Sequence, residues 1–257
     1  MQFTVKAILY FLFLFSENGQ NLLKQNITGS AQGGINSTNL KEIKIPLPET
    51  QIQQKIVDEC EAVEQETDQA HKTIVSAEWQ IEAKVQSVMN IGYERKKIDK
   101  VLTLEYGKSL PERKRISGDF PVYGSNGVVG NHNEFLVKGP CIIVGRKGSA
   151  GETNWSDKNC TPIDTTFYVK LLDETATDLK FIYYMLGSLN LPSLKGGSGP
   201  GGINRNNVYG LQIPIPRLDI QQQLATEVEQ LEAEITQAQA VIDTAAKRKN
   251  IILKKYL

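Results

Sequence analysis

Gly107-Lys108-Ser109 would form the end of a phosphate-binding loop, in which backbone N–H groups and a lysine hold the phosphates of a nucleotide. The glycine such a loop needs five positions earlier is Leu102, so the cradle is incomplete. Gly196 to Gly202 is also glycine-rich, but a strand-like run and prolines follow it. No helix N-terminus is there to receive a phosphate. His71 and His132 are the only histidines, and neither has Cys, His or Asp neighbours at ligand spacing, so no metal centre is expected. Glu82-Ala-Lys84, Glu94-Arg-Lys96 and Glu112-Arg-Lys114 could each supply half of a nuclease carboxylate–lysine motif. Such tripeptides are common by chance, and none follows a suitable pair of strands. Neither a methyl-donor glycine motif nor an Asn/Asp-Pro-Pro-aromatic motif occurs. These residues do not assemble a reaction centre.

What they offer instead is contact. Lys108, Arg113, Lys114, Arg115, Arg146, Lys147, Lys195 and Arg205 fall in loop-like, glycine-containing stretches. Beside them stand Ser109, Tyr123, Ser125, Asn126, Ser149, Thr153 and Asn204. Lys and Arg on loops can bond phosphates without regard to sequence. Arg and Asn can also bond base edges in a major groove. The plainer alternative is that these loops are merely solvated, and the pattern alone does not choose between the two. The chain's net charge of +0 announces no polyanionic partner, but its distribution is uneven. Residues 92–216 carry 16 Lys/Arg against 12 Asp/Glu, whereas residues 49–91 carry 3 against 9. A basic region is joined to an acidic one.

The elements that must position these loops come in two copies. Gly33-Gly34-Ile35-Asn36 recurs as Gly201-Gly202-Ile203-Asn204, an offset of 168 (201 less 33). At the same shift Ile45-Pro46-Leu47-Pro48 meets Ile213-Pro214-Ile215-Pro216, and Ile52-Gln53-Gln54 meets Ile220-Gln221-Gln222. Internal duplication of this kind outranks any local signal. Each Pro-x-Pro pair bars helix and biases its neighbours to extended backbone, so a helix is expected to start just after it. Apolar or small residues then recur in steps of three and four. In the first copy they include Ile52, Ile56, Val63, Ile74 and Val88; in the second, Ile220, Leu224, Leu231 and Ile242, with Lys249 the one break. That spacing makes one apolar stripe along a helix. Some 40 residues at 1.5 Å each make a rod of roughly 60 Å, which needs a partner for its seam. Two matched seams predict that the helices pack on each other, with Ile52, Ile56, Val63, Ile74, Ile220, Leu224, Leu231 and Ile242 between them; two ordinary helices of a bundle are the alternative.

With 40% hydrophobic and 23% charged residues, the 257-residue chain is expected to fold as a globular protein. Cys60, Cys141 and Cys160 form no CxxC pair and are expected to be free thiols in a reducing compartment. The opening run, with Lys6 before Ala7 to Phe15, resembles a signal-peptide core, but it lacks a small-x-small cleavage site and is too short to span a bilayer. The repeat offers another account. The aromatic-aliphatic run at residues 179–189 precedes the second Gly-Gly-Ile-Asn, and the opening run holds the same place before the first. Residues 1–48 are thus expected to be the C-terminal remnant of a domain whose complete copy spans residues 92–216. Within that copy Phe120–Tyr123, Cys141–Val144 and Thr166–Lys170 have the composition of strands.

Three runs carry a family resemblance: Pro-Val-Tyr-Gly-Ser-Asn-Gly-Val-Val-Gly130, Ile-Val-Gly-Arg-Lys-Gly-Ser-Ala-Gly151 and Ile-Asp-Thr-Thr-Phe167. With Gly-Gly-Ile-Asn204 leading through Ile-Pro-Ile-Pro216 into a helix, the chain resembles the specificity (S) subunit of Type I restriction–modification enzymes. The resemblance implies an α+β fold, a β-rich globular target recognition domain with two long antiparallel coiled-coil-like helices. It implies a recognition domain at 92–216, a central spacer helix at 49–91 and a C-terminal spacer helix at 217–257. It further implies a non-catalytic cytoplasmic subunit that binds double-stranded DNA and docks methyltransferase subunits, with restriction endonuclease subunits as further partners. No cofactor is expected here, since S-adenosylmethionine and ATP would be used on other subunits. With one complete recognition domain, self-association could supply a second half-site. The alternative is a regulatory or inactive fragment that binds partner subunits without productive DNA recognition.

Overall fold

The computed structural model describes residues 5–27, 34–35, 37–196 and 201–257. In chain order the helices are α1 (Val5–Phe15), α2 (Glu17–Gln25), α3 (Ser37–Glu42) and α4 (Thr50–Asn90). Then come strands β1 (Arg95–Lys97), β2 (Leu102–Tyr106), β3 (Phe120–Gly124), β4 (Gly127–His132), β5 (Cys141–Gly145), β6 (Thr153–Ser156), β7 (Thr161–Pro162) and β8 (Thr166–Leu171). The chain closes with α5 (Leu179–Ser188), α6 (Arg205–Tyr209), β9 (Gln212–Pro214) and α7 (Leu218–Tyr256). Two compact units result: residues 1–78 with 232–257, and residues 79–231. The fold is α+β.

Both long helices start where the prolines release the chain, at Thr50 and Leu218, the same 168 apart as the sequence repeat. The repeated glutamine explains why this start is preserved in both copies. Gln53 Nε2 donates to the Pro48 carbonyl at 2.7 Å, and Gln221 Nε2 donates to the Pro216 carbonyl at 2.8 Å. Each ties the first turn of its helix back to the proline that precedes it. Gln221 is fully buried and also accepts from Asp178 N–H, the N-cap residue of α5, so it couples the starts of two helices.

In the first unit the seam is antiparallel. Glu59, Glu64 and Glu66 of α4 pair with Lys255, Lys249 and Arg248 of α7, the numbers rising on one helix as they fall on the other. Lys249, the break in the apolar stripe, is thereby accounted for: its Nζ reaches Glu64 at 2.7 Å. Ile56 and Cys60 are buried with Leu253 and with Leu9 of α1, and Ile52 packs against them. Val63, Ala70, Ala238 and Ala245 are buried further along, while Ile74 and Ile242 are half-buried. In the second unit Lys84 pairs with Glu227 at 2.6 Å, Leu231 is buried, Ile220 is half-buried, and Leu224, Ala225 and Val228 enter the unit's main core.

That core lies under the sheet β2-β8-β5-β6, antiparallel throughout. Leu102, Leu104, Ile142, Val144, Phe167 and Val169 point down from it onto Phe181, Ile182, Met185 and Leu186 of α5, and onto Val85 and Val88 of α4. β5 is buried along its whole length because both faces are covered. Ile142 and Val144 face the main core, whereas Cys141 and Ile143 join Tyr123 and Cys160 on the other side. This is why Cys141–Val144 reads as a continuous apolar run rather than an alternating one. A second sheet, β4-β3-β7, lies beyond. The strand leaving α4 and the strand entering α7 pair with each other, β1 on β9, with Lys96 opposite Ile213. This clasp joins the two ends of the β-rich stretch that lies between the long helices.

Candidate nucleic-acid interface

Strands β2, β5 and β3 end, and β8, β6 and β4 begin, at one end of the second unit's sheets, so their connecting loops gather there. One backbone oxygen organises them. The Thr165 carbonyl accepts from Arg146 N–H at 2.8 Å, from Lys147 N–H at 3.1 Å and from Ser125 Oγ at 2.6 Å. Ser125 belongs to the Pro-Val-Tyr-Gly-Ser-Asn-Gly run, Arg146 and Lys147 to the Ile-Val-Gly-Arg-Lys-Gly run, and Thr165 to Ile-Asp-Thr-Thr-Phe. The fourth run joins through Ile203 N–H, which donates to the Arg146 carbonyl at 2.9 Å. Motifs dispersed over some 80 residues of sequence thus become one hydrogen-bonded loop cluster.

Two glycines make the cluster possible. Gly148 holds φ +71°, the left-handed region that the turn after Lys147 needs. Gly202 lies so close to the Arg146 backbone that a Cβ would stand 2.6 Å from its carbonyl oxygen.

The candidate contact residues divide by what they touch. Lys108, Ser109, Asn126, Lys147 and Asn204 are exposed around the cluster, and Ser149 is half-buried in the same turn as Arg146. Asn204 caps α6, its Oδ1 accepting from Asn206 N–H. Arg205 follows it and lies over Tyr106. Arg113 and Lys114 are exposed on a separate short turn, and Lys195 is exposed at the edge of the glycine-rich loop whose residues 197–200 lie outside the described residues. Three candidates belong to the framework instead. Tyr123 is buried and donates to the Trp155 carbonyl; burial also pushes its phenol upward, which keeps it neutral. Ser125 is buried and committed to Thr165. Arg115 spends its guanidinium on the Val129 and Leu110 carbonyls, clamping β4 to the preceding turn. Long polar side chains were read as surface groups from loop composition, but tertiary hydrogen bonds drew these three inward. Tyr106, over which Arg146 and Arg205 lie, was not among the candidates; its only signal in the sequence was an aromatic residue directly before Gly107-Lys108-Ser109.

The backbone at Gly107-Lys108-Ser109 does not form the phosphate cradle its sequence mimics. Gly107 and Lys108 donate their N–H groups to the Thr166 and Pro162 carbonyls, and no α-helix follows them. His132 is buried and uses Nδ1 to accept from Ile116 N–H. Among the described residues no group of three or more His, Cys, Asp or Glu could hold a metal, and no helix is long and apolar enough to cross a membrane. The first unit has an open apolar groove of about 710 Å³ beside α1, lined by Ile8, Leu12, Phe15, Ile242, Ala245 and Leu253. It shares no residue with the loop cluster.

The family profile described as the Type I restriction modification DNA specificity domain matches residues 1–77 and 90–242. Among solved structures the chain is similar to the S subunit of a Type I restriction–modification system from M. genitalium, at 14% identity and a TM-score of 0.72. That match covers 97% of this chain and 72% of the other. It is also similar to the HsdS subunit from Thermoanaerobacter tengcongensis, at 15% identity and a TM-score of 0.58, covering 96% of this chain and 69% of that one. At such identities the likeness is one of fold. No curated protein matches the chain to a significant degree. The loop cluster, the paired helices and the family profile agree, and the chain belongs to the Type I restriction–modification DNA specificity family as a DNA sequence-specificity subunit.

Proposed function

We propose that residues 92–216 form one target recognition domain, and that its loop cluster reads one half of a bipartite target in double-stranded DNA. The convergence of four signature runs on the Thr165 and Arg146 carbonyls carries this reading, because it presents Lys108, Ser109, Asn126 and Lys147 together on exposed loops. Such loops contribute phosphate contacts for affinity and base-edge contacts for specificity. The subunit is non-catalytic and cytoplasmic. Methyl transfer and cleavage belong to methyltransferase and restriction endonuclease subunits that bring S-adenosylmethionine and ATP.

The helices at 49–91 and 217–257 act as spacers and dock the methyltransferase subunits. Exposed Trp79 on α4 supports docking there, since the repeat places Lys247 at the matching position of α7. Residues 1–48 answer, by the repeat, to the closing part of a recognition domain. In unit 2 the corresponding α5 is covered by β5 and β6, whereas Phe15 of α1 is 71% exposed. Self-association would bring a second recognition domain into the complex.

The test is selection from a random-duplex library by the purified chain, with and without a methyltransferase subunit, read by gel shift. Enrichment of a defined half-site supports the proposal. Stable binding to the methyltransferase subunit with no DNA retained in either form would show instead a fragment that occupies partners without reading DNA.

A further inference from the structure

Two guanidinium groups lie over one tyrosine ring in the loop cluster. Arg146 Cζ is 5.1 Å and Arg205 Cζ 5.2 Å from the centroid of Tyr106. Tyr106 is itself fixed, its ring 5.1 Å from that of Phe167, which is buried in the core. The arginines are fixed from the backbone side too. Arg146 N–H is held by Thr165, and its carbonyl receives Ile203 N–H, two residues before Arg205. The close approach that Gly202 permits is therefore what sets Arg205 beside Arg146.

This arrangement is electrostatically incomplete. Two cations over one ring sit within about one Debye length of each other, ~10 Å at 0.1 M salt, and repel. Among the described residues neither forms an ion pair with a carboxylate. The Nε of Arg146 is also shut off from solvent without a hydrogen-bond partner, an expensive state for a charged donor. Interaction with the ring quadrupole offsets part of this, but it neutralises no charge. An anion would neutralise these charges.

We propose that Arg146 and Arg205, splinted by Tyr106, clamp one phosphate of the DNA backbone and so fix the register of the duplex without reading a base. The proposal rests on the DNA-reading role argued above and assigns these two residues a place within it. An uncharged base edge would satisfy donors but neutralise neither positive charge. A phosphate accepts from both forks and cancels the repulsion. Guanidinium groups already held over a ring lose less freedom on binding than free side chains do. Base reading then falls to the exposed Lys108, Ser109, Asn126 and Lys147 around the clamp.

The experiment uses the full chain with its methyltransferase subunit and a duplex selected for binding, alongside a scrambled duplex. Affinities are measured by fluorescence anisotropy across a series of KCl concentrations. The double substitution Arg146→Gln/Arg205→Gln is expected to weaken both duplexes by the same factor. It should also lower the slope of log K against log salt by about 1, the signature of one lost phosphate contact. Neutralising single phosphates as methylphosphonates should reveal one position that weakens the wild type and leaves the double variant unaffected. Tyr106→Phe should keep the wild-type slope, and Tyr106→Leu should flatten it. Should the glutamine pair fail to fold, as judged by circular dichroism, Arg146→Lys/Arg205→Lys replaces it and is expected to keep the slope at lower affinity. Loss of discrimination between duplexes at an unchanged slope would overturn the clamp in favour of base reading. Methylphosphonate sensitivity identical in wild type and variant at every position would overturn it outright. If the wild type binds neither duplex, the DNA-reading role falls first and the clamp with it.

Discussion

Thr165 contributes a backbone oxygen, and Gly202 the lack of a side chain, yet these two positions decide where the charged residues of the loop cluster stand. Gly202→Ala should therefore be felt well beyond residue 202. Its Cβ would press on the Arg146 carbonyl, and backbone must shift to admit it. A loss of roughly 1–3 kcal/mol is expected, the range for disruptive single substitutions, with weakened DNA binding; urea denaturation and anisotropy would measure the two effects. Gly196→Ala, whose Cβ would meet nothing, serves as the control. The cysteines behave differently again. Burial pushes the Cys60 thiol up to about 11, so little thiolate exists near neutral pH. Cys141 is raised as well, by its hydrogen bond to Cys160 at 3.3 Å and by burial. Alkylation by iodoacetamide at pH 8 should leave Cys60 and Cys141 unmodified in the folded chain and modify them after denaturation, as mass spectrometry would show.

At the scale of elements, the helix pair of the first unit combines a narrow apolar seam with a border of ion pairs. Ile56 is fully buried against Leu9 and Leu253. Removing such a side chain costs roughly 2–5 kcal/mol through the cavity alone. Ile56→Asp adds a carboxylate with no partner and should lower the melting temperature further than Ile56→Ala. An unaltered melting curve would mean that the seam does not hold the unit together. The ion pairs add a pH dependence. Hydrogen bonds hold the carboxyls of Glu17 (from Lys254), Glu59 (from Tyr256) and Glu66 (from Arg248) below their ordinary value of 4.5 in the folded chain. A group whose folded value is depressed stabilises the fold above its unfolded value and loses that contribution as pH falls through the folded one. Melting temperature should therefore hold steady from pH 7 to 5 and drop as pH falls below 4.5. Glu17 and Glu66 are exposed and Glu59 is half-buried, so 1 M salt should shrink the drop. Glu66→Gln should shrink it as well. Trp79 belongs to the same scale but to binding rather than stability. It is 70% exposed on α4, so Trp79→Ala should barely change melting. A buried aromatic anchor at an interface is worth about 2 kcal/mol or more, and affinity for the methyltransferase subunit should fall accordingly in calorimetry.

For the molecule as a whole, a net charge of +0 conceals a division of labour between its parts. Lys108 and Lys147 of the loop cluster face solvent, while the cations at the end of α7 are spent on Glu59, Glu64 and Glu66. DNA affinity should consequently depend on salt despite the neutral total. Neutralising Lys108 and Lys147 with glutamine should reduce the salt slope by about 1 for each lysine that bonds a phosphate. Lys254 and Lys255, bonded to Glu17 and Glu59, should leave the slope unchanged when neutralised in the same way.

The duplication, both helix starts and the stripe that becomes the seam could be read from the chain alone, because proline geometry and helical periodicity are local properties. The strands at Phe120, Cys141 and Thr166 were legible for the same reason, and so were the four runs that meet in the loop cluster. Their meeting was not. It depends on backbone hydrogen bonds between residues as far as 57 apart (203 less 146), on Tyr106 receiving two arginines, and on Tyr123, Ser125 and Arg115 turning inward to hold the frame. Residue type says which groups can bond; only the packed chain brings them within a few ångströms of one another, and that distance decides which charges are spent internally and which remain exposed.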